Sequence, residues 1–234
     1  MYCFNGKVRY SEVNSEKKLT LPALLDYLQD CCTMQSEELG VGVDYLKEQH
    51  RAWILSSWEI KIHRYPELGE EIKVFTWPYA FKGFYGFRNF SVERADGEQL
   101  ATANSVWVFV DTDTMRPVKV SEKMLEVYEF EAQLPGEWAP RKVSYEGNQW
   151  KKDSFMVQRF HIDTNHHMNN GKYVLAAEEY LSEDFETKTL RVEYRKAARL
   201  GDEIFPSVIQ EAGKNTVVLM DNRENPYAIM EFKE

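Results

Sequence analysis

Cysteine is scarce in this chain, and its spacing fits neither a disulfide framework nor a zinc site. Only three cysteines occur in 234 residues, and two of them, Cys31 and Cys32, are adjacent within a helical pattern. An odd count without framework spacing is typical of reduced thiols, so we expect a cytoplasmic protein. No second cysteine pair accompanies the first, and we therefore expect no metal site.

Basic residues and long apolar runs are also lacking. The formal net charge of -9 argues against a nucleic-acid-binding protein, which normally carries a basic excess. No apolar run approaches the ~20 residues of a membrane span. Residues 1–7 lack the apolar core of a secretory signal. The length suits one large domain or two small ones, and the sequence predicts partners other than nucleic acid or a membrane.

Histidine is rare too, yet three of the five histidines fall within residues 160–173. The segment reads as a polar loop followed by a helix over residues 173–181, since asparagine favours caps and turns. Asp163, Asn165 and His167 alternate, so an extended loop would direct all three side chains to one side. Beside a helix N-terminus, where free N–H groups favour negative charge, this set indicates a catalytic site.

The same segment carries a family signature. Its pattern Asp-x-Asn-x-His-x-Asn-Asn-x-Lys-Tyr, from Asp163 to Tyr173, resembles the active-site segment of acyl-acyl carrier protein thioesterases. The resemblance implies a double hot-dog fold, hydrolysis of fatty acyl thioesters in fatty acid biosynthesis, and acyl carrier protein as the partner. It implies no cofactor, and a homodimer stays open.

The order of predicted elements in the first half agrees with that fold. A strand and polar loop over residues 7–20 precede a long helix over 19–39 and a short helix over 44–49. Strands then follow over residues 53–63, 71–79, 84–94 and 100–111, separated by turn signals such as Gly69 and Asp96-Gly97. A long helix followed by an antiparallel meander is the hot-dog pattern, so the fold class is α+β.

The second half repeats the first. Residues 58–72 align with 190–204 at a constant offset of 132, including Leu-Gly at 68–69 and 200–201. Residues 8–10 align with 158–160 at an offset of 150, which places Glu12–Glu16 opposite Ile162–His166. We therefore predict two tandem hot-dog domains, residues 1–130 and 154–234, joined by a linker over 131–153. The first lacks the histidine motif and is interpreted as catalytically silent, supplying the acyl pocket.

Thioester hydrolysis requires an activated water and stabilisation of the carbonyl oxyanion. Either Asp163 or His167 is suited to activating the water, and Asn165 to orienting the water or the thioester. Asn169 and Asn170, with the N–H groups at the start of the helix, are the candidates for supporting the site and binding the oxyanion.

The family pattern breaks at Ala197 and Ala198. Plant members carry a Glu-Cys pair after the Glu-Tyr-Arg-basic segment, whereas here Glu193 to Lys196 is followed by two alanines. A Cys–His mechanism is therefore untenable at this position. Either Asp163 and His167 suffice, or Glu178, Glu179 or Glu193 replaces the missing carboxylate; helix spacing disfavours the first two of these.

An acidic chain that binds an acidic carrier protein needs a local basic patch. The sequence candidates are Lys151, Lys152, Arg195, Lys196 and Arg199. Two other functions stay open: an acyl-coenzyme A thioesterase, and a non-catalytic acyl-thioester binding protein. A hydratase–dehydratase is disfavoured because Asp163 and His167 share one loop. Acyl chain length cannot be read from the sequence.

Overall fold

The computed structural model describes all 234 residues, Met1–Glu234. Its α-helices are α1 (Leu21–Glu38), α2 (Val43–Glu48), α3 (Glu122–Val127) and α4 (Asn170–Glu178). Its strands are β1 (Tyr2–Lys7), β2 (Arg51–Ile62), β3 (Glu71–Lys82), β4 (Tyr85–Arg94), β5 (Gln99–Asp111), β6 (Arg116–Pro117), β7 (Trp150–Lys151), β8 (Phe155–Met156), β9 (Thr189–Tyr194), β10 (Glu203–Glu211), β11 (Lys214–Met220) and β12 (Pro226–Lys233). None of the helices combines the length and the apolarity that crossing a bilayer requires.

The chain divides into two compact units. Unit 1 comprises Met1–Ser56 and Ile60–Ala139, and unit 2 comprises Ser57–Glu59 and Pro140–Glu234. The change from one unit to the other at Ala139 falls inside the stretch 131–153, which the sequence assigns to the linker.

Unit 1 is a long helix on an antiparallel sheet. The strand order is β1-β3-β4-β5-β2, and α1 packs on β1 and β3. Thr20 caps α1 by accepting a hydrogen bond from the N–H of Ala23 at 3.4 Å, and Pro22 occupies the first turn, where no N–H is needed. Leucines at helical spacing then bury one face of α1 in the core: Leu21, Leu24, Leu25 and Leu28. The predicted helix over residues 19–39 is confirmed.

Unit 2 repeats this plan with a shorter helix. Its strand order is β9-β12-β11-β10-β7, β8 also pairs with β10, and α4 packs on β11 and β12. Neighbouring strands are antiparallel. The helix predicted over residues 173–181 begins three residues earlier, because Asn169 provides its N-cap. Two helix-on-sheet units of this kind confirm the tandem hot-dog fold expected from the sequence.

Two strand predictions of unit 1 need correction. The first strand ends at Lys7 rather than beginning there, since a one-turn 3-10 helix (Tyr10–Glu12) follows, in which Glu12 accepts the N–H of Arg9 at 2.8 Å. The strand predicted to end at residue 79 continues to Lys82. A register shift between Pro78 and Ala80 marks a β-bulge, which is a position at which sheets tolerate proline.

Candidate active site

A tight turn holds the polar loop that precedes α4. The Oδ1 of Asp163 accepts hydrogen bonds from the N–H groups of Asn165 at 2.8 Å and His167 at 3.4 Å. The N–H of Asp163 donates to the carbonyl of His167 at 2.8 Å. His166 adopts a positive φ of 60° within the turn.

The expectation of an extended loop with three side chains on one side is therefore wrong. Aspartate hydrogen-bonds readily to N–H groups two or more residues ahead, and this local interaction folds the segment back on itself. The turn still brings Asp163, Asn165 and His167 into one compact loop. Asn165 is exposed, whereas Asp163 and His167 are half-buried.

The loop enters α4 through Asn169. Its side-chain oxygen accepts the N–H of Gly171 at 2.8 Å, which is an N-cap interaction worth about 1 kcal/mol. Its own N–H donates to the carbonyl of His161 at 2.8 Å, and the N–H of Lys172 donates to the carbonyl of Asn169 at 3.0 Å. Three of the N–H groups suggested for oxyanion binding are thus already engaged within the chain, and Asn169 supports the fold of the loop.

The chain after β9 packs directly against this loop. The carbonyl of Ala198 accepts the N–H of Met168 at 2.8 Å, and the N–H of Ala198 donates to the hydroxyl of Tyr173 at 2.8 Å. Asn170 is fixed from the same side, because its carbonyl accepts the hydroxyl of Tyr194 at 3.0 Å. Ala198 is buried and Ala197 is exposed. The positions at which plant members carry Glu-Cys therefore adjoin the loop, and here they present only methyl groups.

The three histidines of the segment have different environments. His161 accepts the N–H of Gln158 through Nδ1 at 2.9 Å and contacts the ring of Phe160, with 4.1 Å between ring centroids and 56° between the ring planes. His166 is exposed. Neither arrangement favours catalysis, because the ring of His161 supports the 3-10 helix over Arg159–His161 and the ring of His166 makes no hydrogen bond with a residue of the site.

His167 is the histidine with properties suited to a base. Burial lowers the pKa of its imidazole, the charge of Arg199 lowers it further, and the carboxylate of Asp163 partly offsets both. The ring makes no hydrogen bond within the chain. A neutral imidazole at pH 7 with an uncommitted nitrogen can take a proton from water.

The glutamates considered as replacements are placed differently by the structure. Glu193 is buried and accepts the N–H of Val143 at 2.9 Å and the guanidinium of Arg195 at 3.0 Å, so its carboxylate is committed to fixing the chain before β7. Glu179 is exposed at the end of α4. Burial raises the pKa of the neighbouring Glu178 to about 7.

Most of the predicted basic docking residues are paired with acids. Lys151 lies 2.8 Å from Glu224 and Lys196 lies 2.9 Å from Asp221, while Arg195 contacts Glu193. Lys152 and Arg199 form no ion pair. Sequence proximity to the motif did not reveal these pairings because the acidic partners of Lys151 and Lys196 are distant in the chain.

Unit 1 contains the same turn with different side chains. The Oδ1 of Asn14 accepts the N–H groups of Glu16 and Lys18, each at 3.0 Å, and Lys17 adopts a positive φ of 64°. Asn14, Glu16 and Lys18 therefore correspond to Asp163, Asn165 and His167.

This correspondence corrects the alignment made from the sequence. The offset between the two loops is 149 rather than 150, because the turn and its hydrogen bonds, rather than the flanking apolar residues, fix the register. The turn itself is a shared structural feature, and only unit 2 places an imidazole in it.

Comparison with known proteins identifies the relatives of the chain. The model of the acyl-ACP thioesterase N-terminal domain matches residues 2–128, and that of the C-terminal domain matches residues 145–230. Oleoyl-acyl carrier protein thioesterase 1 of Arabidopsis thaliana is 25% identical over 83% of this chain and 60% of its own length. Palmitoyl-acyl carrier protein thioesterase of Gossypium hirsutum is 24% identical over 97% of this chain and 57% of its own. The chain thus spans about three fifths of the length of these plant relatives.

Solved structures share the fold. An acyl-ACP thioesterase from Bacteroides thetaiotaomicron superimposes with a TM-score of 0.91 at 20% identity, covering 99% of this chain and 96% of the other. The 12:0-ACP thioesterase from Umbellularia californica gives a TM-score of 0.81 at 16% identity, with coverages of 99% and 96%. Since the models of both domains match in order and over most of the sequence, the chain belongs to the acyl-ACP thioesterase family.

Proposed function

We propose that this chain hydrolyses the thioester of a fatty acyl-acyl carrier protein and releases the free fatty acid for lipid metabolism. The observation that carries the proposal is the turn of unit 2, which holds a carboxylate, an amide and a neutral imidazole in one loop at the start of α4. The family match supplies the substrate class.

His167 is proposed as the general base. Its ring nitrogen takes a proton from water while the water oxygen attacks the thioester carbonyl carbon. The tetrahedral intermediate then expels the thiolate of the carrier's prosthetic arm as the carbon–sulfur bond breaks, and the proton passes from the imidazolium to that sulfur. A thiolate is a good leaving group, so this chemistry requires no strong acid.

Asp163 and Asn165 are proposed to assist this step. One oxygen of Asp163 maintains the turn, and the negative charge of the carboxylate stabilises the imidazolium that forms at His167. The amide of Asn165 is exposed and free to hydrogen-bond with water or with the thioester oxygen. Asn169 and Asn170 hold the loop against α4 and Tyr194.

Unit 1 is proposed to be catalytically silent and to supply the acyl pocket. Its turn presents Glu16 and Lys18 in place of the amide and the imidazole, so it lacks the base. We also propose a cytoplasmic location, on the basis of three free cysteines, although the plant relatives are chloroplastic.

The test is turnover by purified protein of acyl-acyl carrier protein and acyl-coenzyme A substrates over a range of chain lengths. We expect a higher kcat/KM for carrier-protein substrates and loss of about 100-fold or more in His167→Ala. Preference for coenzyme A substrates would establish the alternative acyl-coenzyme A thioesterase. Binding without turnover of any thioester would establish the non-catalytic alternative. That alternative is favoured by Ala197 and Ala198, which stand where plant members carry Glu-Cys.

A further inference from the structure

We propose that acyl carrier protein docks on the edge of unit 2 formed by Arg159, Lys172 and Arg199, with Phe160 and Leu200 as its apolar contacts. This docking edge rests on the proposed function. It differs from the basic residues suggested by the sequence, of which it retains Arg199 alone.

The three cations of the docking edge form no ion pairs. Arg159, Lys172 and Arg199 form no ion pair with any residue of the chain, and Arg159 and Arg199 are exposed. Lys151, Arg195 and Lys196, in contrast, each contact a carboxylate within 3.0 Å. An ion pair is neutral as a whole, so Lys151, Arg195 and Lys196 attract an acidic partner less than the three unpaired cations do.

The segments that carry these cations adjoin the catalytic loop, residues 163–169. Arg199 directly follows Ala198, whose carbonyl accepts the N–H of Met168 at 2.8 Å, and Lys172 lies in the first turn of α4, where its N–H donates to the carbonyl of Asn169 at 3.0 Å. Arg159 begins the 3-10 helix that contains His161, whose carbonyl accepts the N–H of Asn169. A partner bound to all three cations would therefore lie next to the catalytic loop.

Backbone hydrogen bonds bring the apolar residues to the same edge. The N–H of Gly201 donates to the carbonyl of Val157 at 3.0 Å, and the N–H of Val157 donates to that of Asp202 at 2.8 Å. These bonds join the turn that carries Leu200 to the segment that leads to Phe160. Phe160 is 66% exposed and Leu200 is 56% exposed. Exposure of large apolar side chains to water is unfavourable, so their burial by a partner would stabilise a complex.

The two acidic residues nearest the docking edge form no ion pair with its cations. Asp202 accepts the N–H of Arg199 at 2.9 Å and the hydroxyl of Tyr227 at 3.2 Å, and Asp163 accepts two N–H groups of its own turn. An acidic protein with an apolar groove fits such a surface, whereas the overall charge of -9 would repel it elsewhere.

The test compares charge reversals by steady-state kinetics on two substrates with the same acyl chain: acyl-acyl carrier protein and the uncharged acyl-pantetheine thioester. Arg159→Glu with Lys172→Glu should raise the KM for the carrier-protein substrate by about 10-fold or more and leave the KM for acyl-pantetheine within about twofold. Lys188→Glu is the control, since Lys188 precedes β9, at the opposite end of that strand from Arg199. It should change neither constant.

Arg199→Glu also changes the charge next to His167, so it should change kcat for both substrates. Its effect on docking should raise the KM for acyl-acyl carrier protein only. Equal losses on both substrates, or a response to Lys188→Glu as large as to the double variant, would overturn the proposal. If the wild-type protein hydrolyses no thioester, the proposed function fails. The docking edge is then decided by calorimetric titration with holo-acyl carrier protein, where the double variant must bind at least about 10-fold more weakly for the proposal to stand.

Discussion

At the scale of single residues, comparison of the turn at Asn14 with the turn at Asp163 distinguishes the structural role of Asp163 from its chemical role. Asn14 makes the same turn in unit 1 with an amide oxygen, so the turn needs an acceptor at this position and no negative charge. Any requirement for the carboxylate itself must therefore come from its effect on His167 or on the substrate.

Asp163→Asn should preserve the turn and still impair hydrolysis. We expect a melting temperature unchanged from that of the wild-type protein and a kcat lower by about 100-fold, because the imidazolium loses its counter-charge. Asp163→Ala should lose both stability and activity. Thermal denaturation and steady-state kinetics on the same preparations measure the two effects. Wild-type turnover by Asp163→Asn would show that the residue acts only as the acceptor of the turn.

The pH dependence of hydrolysis should report His167. Burial and Arg199 lower the pKa of the imidazole, so the acidic limb of kcat/KM should lie below the ordinary value of about 6.5. Removal of the cation in Arg199→Gln should move that limb to higher pH, since the imidazolium is then less disfavoured. Arg199→Lys keeps the charge and serves as the control. Acyl-pantetheine is the substrate for this measurement, because it does not depend on carrier-protein docking. An acidic limb that does not move in Arg199→Gln would exclude His167 as the titrating base.

At the scale of elements, the residues that follow β9 determine which side chains lie beside the catalytic loop. Ala198 is fixed by hydrogen bonds to Met168 and Tyr173, whereas the side chain of Ala197 is exposed beside it. The family's carboxylate position is therefore open to solvent in this chain.

Ala197→Glu should fold with wild-type stability, because the new carboxylate would keep its hydration rather than being buried unpaired. We expect activity equal to or above that of the wild-type protein. Chemical denaturation and kcat/KM are the measurements, with Ala197→Gln as the uncharged control. A folded variant that is slower by about 10-fold or more would mean that the site is organised around the absence of glutamate.

Glu178 makes the stability of α4 depend on pH. Its folded-state pKa is raised from 4.5 to about 7, so the folded state holds the proton more tightly than the unfolded state. The protein should therefore lose stability as pH rises from about 4.5 through about 7. Glu178→Gln should remove this dependence and stabilise the protein at pH 8 by about 1 to 2 kcal/mol, allowing for partial exposure. Urea unfolding at pH 5 and pH 8 measures the difference, and an equal effect at both values would contradict the assignment.

At the scale of the whole molecule, the net charge is negative, whereas the proposed docking edge carries cations. The chain carries a net charge of -9, whereas three cations of unit 2, Arg159, Lys172 and Arg199, form no ion pair. Under the docking proposal, these cations would attract an acidic carrier protein only over short distances.

Added salt should raise the KM for acyl-acyl carrier protein and leave that for acyl-pantetheine unchanged. Exposed charges act over about 8 Å at physiological ionic strength, and more salt shortens this range. Initial rates between low and high sodium chloride provide the measurement. Equal responses of the two substrates would indicate an effect on the enzyme itself rather than on docking.

The sequence by itself determined the repeated helix-and-meander plan and the motif from Asp163 to Tyr173. These features are local: leucine spacing specifies α1, and Leu-Gly marks corresponding turns, where Gly69 and Gly201 adopt positive φ values of 83° and 85° that favour glycine. Periodicity and turn chemistry act within a few residues, so they can be read from the chain.

Only the tertiary structure decided which polar residues are available for function. Lys151 is paired with Glu224, which lies 73 residues away, and the carboxylate of Glu193 is committed to Val143, 50 residues away. His161 and His167 look alike in the sequence, but Nδ1 of His161 accepts the N–H of Gln158, whereas the ring of His167 makes no hydrogen bond. Contacts across such separations depend on how strands and loops pack, because the chain brings together residues whose spacing carries no signal.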